Sequence, residues 1–131
     1  MISKRIVLAA ALAIATVAAT GVTLAGETKS YTQAAFAAAQ AAGKPILVDI
    51  TASWCPICKA QAPIIQRLSQ QPEYRNLVIL EVNFDTQKDV VRSFGARMQS
   101  TLVAYKGRSE TGRSVGSTNA DAIGALLQKT L

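Results

Sequence analysis

The run Ile46-Leu47-Val48-Asp49-Ile50-Thr51 is short, rich in β-branched residues and almost continuously apolar. A strand of that composition must be covered on both faces, so it belongs at the centre of a layered domain. Shortly after it stands Pro56, a residue suited to the first turn of a helix because it loses no intrahelical donor there. Ile57, Ala60, Ile64, Ile65 and Leu68 then recur at helical spacing. A buried strand passing almost directly into a helix restricts the fold to the α/β class.

The neighbouring segments fit that class. The polar residues 27–30 precede a helix over 31–42, which stops at Gly43-Lys44-Pro45. The helix opened by Pro56 is expected to kink at Pro63 and to end near Gln71-Pro72. Residues 77–84 read as a strand, 86–94 as a helix closed by Gly95, and 101–105 as a further strand. Residues 107–112 hold a turn into a last strand at 113–115. Thr118-Asn119-Ala120-Asp121 has the spacing of a capping box ahead of Ile123, Leu126 and Leu127. This order calls for one domain over 26–131, a mixed central sheet of four to five strands with helices on both faces.

Lys4-Arg5 precede an uncharged apolar stretch over 6–25, and Thr23-Leu24-Ala25 resembles a small-residue cleavage site. Residues 1–25 are therefore expected to be a signal peptide, or an uncleaved N-terminal anchor, since the stretch is nearly long enough to span a bilayer. Either way the domain is expected outside the cytoplasm, in the periplasm. The net charge of +6 includes that pair, which leaves +4 for the rest. The basic residues are spread through the second half without interleaved aromatics, which speaks against nucleic-acid binding.

The chain has two cysteines, both in Trp54-Cys55-Pro56-Ile57-Cys58, where the buried strand meets the helix N-terminus. Unpaired amides and aligned peptide dipoles there stabilise a thiolate, which makes Cys55 the expected nucleophile. One turn later, Cys58 is within bonding reach and expected to lie deeper, as the resolving thiol. A structural zinc site needs about four ligands, and two cysteines with no histidine do not supply them. A purely structural disulfide closing so small a ring would constrain little unfolded-chain entropy.

The strand at 46–51, the segment Ala52-Ser53-Trp54-Cys55-Pro56-Ile57-Cys58-Lys59 and Pro63 together resemble the thioredoxin superfamily. The likeness covers about 31–131, and the Trp-Cys-x-x-Cys-Lys context is far more specific than Cys-x-x-Cys alone. The resemblance implies a thioredoxin-like three-layer α/β fold and reversible dithiol–disulfide exchange with protein thiols and disulfides. It implies no cofactor and no resident metal, and a monomer is expected. Asp49 matches the family's buried carboxylate, held to relay protons to the resolving thiol; the other reading is a strand-edge aspartate facing water. Trp54, Pro56, Ser100 and Thr101 are the corresponding candidates for partner binding.

Two positions depart from the family pattern. Ser100 stands where a cis-proline is usual, and since a non-proline cis bond costs about 2.5–4 kcal/mol its peptide bond is expected to be trans. Ser100 is then expected to offer backbone groups to an extended partner segment, although the missing proline leaves open a metal or iron–sulfur site shared between two copies. Glu81 stands where a lysine usually pairs with the buried aspartate; it either raises the pKa of Asp49 or turns to solvent.

Pro56-Ile57 places no imidazole between the cysteines, whereas strongly oxidising relatives carry one. The resemblance therefore favours a reductase supplied with electrons by a membrane thiol carrier of the DsbD or CcdA type. Two other functions remain open. One is copper(I) handling by the same thiols with Met98 as a third donor, and the other is a non-catalytic binding module.

Overall fold

The protein is described here by a computed structural model covering residues 26–131, with Ala18 alone ahead of them. The expected leader or anchor over 1–25 lies, Ala18 apart, outside the described residues. Five strands, β1 (Glu27–Ser30), β2 (Pro45–Thr51), β3 (Val78–Asn83), β4 (Thr101–Lys106) and β5 (Ser109–Val115), form one sheet in the order β1-β3-β2-β4-β5. The first three run parallel, β4 is antiparallel to β2, and β5 is antiparallel to β4.

Four helices flank the sheet: α1 (Gln33–Ala41), α2 (Pro56–Ser69), α3 (Lys88–Ser93) and α4 (Ala120–Gln128). Alternation along the strands sorts the core into two layers. Ile46, Val48 and Ile50 of β2 face α1 and α3, where Tyr31, Phe36, Phe94 and Tyr105 pack edge-on or tilted with centroids 5.3–6.2 Å apart. Leu47 faces the other way, into a layer with Ile65 of α2 and Ile123, Leu126 and Leu127 of α4. The mixed α/β sandwich is the one expected, and β2 is buried at its centre between β3 and β4.

Local signals account for most boundaries. Thr32 caps α1, its hydroxyl accepting the Ala35 N–H at 3.0 Å, so the helix starts two residues later than expected and Tyr31 is freed to pack into the core. α2 runs through Pro63 without interruption to Ser69. A single 3₁₀ turn, Pro72–Tyr74, then tucks Tyr74 into the core.

Three features differ from the sequence expectation. β1 was not foreseen, because its four side chains are polar and all exposed; it exists by adding to the open edge of β3. β5 has seven residues instead of three, since its ladder with β4 extends back to Ser109 through a sequence that reads as a turn. The cap of α4 is Asn119 and not Thr118: Asn119 Oδ1 accepts the Ala122 N–H at 2.9 Å, and Asp121 falls in the first turn.

Candidate active site

β2 runs out of the core into residues 52–55 and delivers Cys55 to the N-cap of α2. Cys55 keeps an extended backbone, Pro56 follows at the helix start, and the Cys58 N–H donates to Cys55 Sγ at 3.1 Å. That amide is one of the donors a helix leaves unpaired at its first turn, and it points at sulfur. Cys55 and Cys58 are joined in a disulfide with Cα atoms 5.3 Å apart. Both are covered, Cys55 being 1% and Cys58 6% exposed. Cys58 lies one turn further along α2, and what distinguishes Cys55 is its place at the cap.

Apolar side chains are exposed around the disulfide. Trp54 is 52% exposed, tilted edge-on to Phe84, and fixed by an Nε1–H bond to Asp85 Oδ2 at 2.8 Å. Ile57 and Pro56 are exposed on the first turn of α2. Because β4 is antiparallel to β2, the residues leading into β4 lie at the same end of the sheet, and Met98 there is 52% exposed.

The structure places Ser100 at the mouth of β4 with φ +61°, in the left-handed region that non-glycine residues seldom adopt. Among the described residues no peptide bond is cis, so the bond preceding Ser100 is trans. Its main-chain groups are engaged within the fold. The Ser100 N–H donates to the Ile50 carbonyl at 2.7 Å, and its carbonyl accepts the Gly116 N–H at 3.0 Å. Thr101 is buried, its hydroxyl donating to the Met98 carbonyl at 2.7 Å, so it braces the loop from beneath.

Asp49 is 9% exposed in the middle of β2, paired in register with Glu81 of β3. The two carboxyl groups share a cavity of about 270 Å³ with Thr28 and Gln66. Burial first, and the charge of Glu81 second, raise the Asp49 pKa from 3.8 to about 7. Glu81 thus does both things weighed for it: it reaches solvent and it acts on Asp49. Ala62 borders this cavity and also the hollow of about 350 Å³ that Cys58 lines. A carboxyl that exchanges its proton near neutrality, so placed, suits acid–base work on a thiol.

Two contributors had no signal in the sequence. Asp85 holds Trp54 from 31 residues away. Gln61, one turn beyond Cys58 and 1% exposed, donates from Nε2 to the carbonyls of Ser117 at 2.8 Å and Ser100 at 3.4 Å. Its Oε1 has no partner among the described residues, an arrangement that costs about 1–3 kcal/mol.

Comparison with known proteins agrees with this geometry. The thioredoxin family pattern matches residues 27–129. The chain is 33% identical over 84 residues to thioredoxin Asp f 29 of Aspergillus fumigatus, covering 64% of this chain and 76% of that one. It is 33% identical over 89 residues to the thioredoxin of Coprinus comatus, covering 68% and 83%. Among solved structures, Trxlp from Edwardsiella tarda EIB202 is 44% identical with a TM-score of 0.75, covering 77% of this chain and 98% of that one. Thioredoxin f from spinach chloroplast shares the fold at 24% identity and a TM-score of 0.69, covering 82% and 96%. With a cysteine pair able to close a disulfide at a helix cap and this likeness over nearly the whole described chain, the protein belongs to the thioredoxin family and is a thiol–disulfide oxidoreductase.

Proposed function

We propose that the protein is an exported thioredoxin-type enzyme that works in the reducing direction on protein disulfides. In each cycle the Cys55 thiolate attacks a partner disulfide, one partner sulfur leaves as thiolate and takes up a proton, and Cys58 then attacks the mixed disulfide to release the second. Cys55 and Cys58 end as the disulfide. Regeneration needs two electrons and two protons from a dithiol donor, for which a membrane thiol carrier of the DsbD or CcdA type is suited.

The observation that carries the direction is the surroundings of Cys55 Sγ. In the disulfide this sulfur has the Cys58 amide at 3.1 Å at the helix terminus, and once reduced it has no imidazole to pair with, since the chain has no histidine. Less stabilisation of the reduced form means a more reducing couple. A redox titration followed by Trp54 fluorescence is expected to give a potential nearer about −270 mV than about −120 mV. A value near the upper figure would reverse the proposed direction.

Catalysis itself is tested by Cys58→Ala, expected to accumulate mixed disulfides through Cys55 when incubated with oxidised exported proteins. Recovery of none would favour a binding module. Export rests on the segment Lys4-Arg5 and the apolar residues 6–25. Fractionation of cells after osmotic shock checks it: release supports cleavage, retention in the membrane supports an anchor, and a cytoplasmic location overturns export.

A further inference from the structure

The structure assigns Gln61 a task in recognising protein substrates: we propose that it is the positioning residue that holds the Ser100 loop against the catalytic helix. The inference rests on the reading above, that the disulfides reduced are those of protein chains.

Gln61 lies on the same face of α2 as Cys58, three residues on. Both groups that Nε2 meets, Ser100 O and Ser117 O, are carbonyls, so only the amide nitrogen can face them and the orientation of the side chain is settled by chemistry. One amide thereby ties three segments together: the helix bearing the dithiol, the loop entering β4, and the loop joining β5 to α4. The last two are also tied to each other through the Gly116 N–H and the Ser100 carbonyl.

The segment so held needs holding. Ser100 has a left-handed backbone that its side chain disfavours, and such conformations persist only where their surroundings enforce them. A clamp of this kind supplies what a rigid residue at position 100 would otherwise supply. An apolar side chain of equal length at position 61 would fill the space without a buried unpaired Oε1 but would give up the donor to Ser117 and Ser100, and an amide with its Oε1 unpaired is what is present. The cost falls on stability, and the benefit falls on the loop that carries exposed Met98, at the same end of the sheet as exposed Trp54 and Ile57. A folded protein partner must lie across that surface, whereas a small disulfide reaches the sulfur without it.

Gln61→Met removes both donors and the orphan oxygen at nearly constant volume, and Gln61→Leu does the same in a second shape. Each is measured against insulin and against a small aryl disulfide. For either variant the KM for insulin is expected to rise about tenfold with kcat within about twofold, and the small-disulfide rate to stay within about twofold of the parent. Amide exchange at Ser100 and Gly116 is expected to quicken at least about tenfold as their loop loosens. Equal losses on both substrates would show a merely structural role and overturn the inference, as would unchanged kinetics on insulin. Failure of the unaltered protein to reduce either disulfide would sink the functional reading itself, a separate and recognisable result.

Discussion

Asp49 gives up its proton near 3.8 in ordinary surroundings and near 7 in the fold. Between those values the native chain holds a proton that the unfolded chain has lost, so stability falls as pH rises through that window. The ceiling is roughly 4 kcal/mol, reached above about pH 7 at 1.36 kcal/mol per pH unit. Asp49→Asn removes the titration. The variant is expected to be more stable than the parent by about 2–4 kcal/mol at pH 8 and to differ by less than about 1 kcal/mol at pH 4 in urea unfolding. The same difference at both pH values would place the effect in packing. Of the residues that make the site, Cys55, Cys58, Trp54 and Asp49 were legible because they sit within ten consecutive positions of one strand–helix junction. Gln61 and Asp85 were not, since their partners lie 31 to 56 residues away and nothing in their own neighbourhood announces a task.

At the level of elements, the two strands misjudged from sequence are both at the edges of the sheet, where side chains meet water and the hydrophobic pattern fades. β1 makes its place by main-chain pairing alone. The Glu27 N–H donates to the Leu77 carbonyl at 2.9 Å and the Tyr31 N–H to the Glu81 carbonyl at 2.8 Å, so by the two-residue alternation the Lys29 N–H also faces β3 and the Thr28 N–H faces away. Proline discriminates between them. Lys29→Pro is expected to cost about 2 kcal/mol by deleting a ladder bond and stranding a carbonyl, while Thr28→Pro costs less than about 1 kcal/mol. Chemical denaturation of the two variants checks this, and equal losses would refute the assigned register. By contrast α1, α2 and β2 were readable, because a threonine cap, a proline at N1 and a continuous apolar run act within a few residues of where they stand.

For the whole molecule, both core layers are built on the two faces of the same central strands, so neither can come apart without stripping β2 or β3. Unfolding of the oxidised protein is therefore expected to be a single transition, with far-UV circular dichroism and Trp54 fluorescence giving coincident curves. Curves that separate would show that the dithiol end melts as an independent unit. The amino-acid sequence by itself determined the central buried strand, the helix it feeds and the dithiol at their junction, because periodicity, capping and proline geometry are local forces. Only the tertiary structure decided that polar residues 27–30 form a strand, that Glu81 both reaches solvent and acts on Asp49, and that Ser100 bends left-handed under a glutamine from another element. Those outcomes depend on an open sheet edge, a shared cavity and hydrogen bonds closed between distant parts of the chain, and such forces exist only once the layers have met.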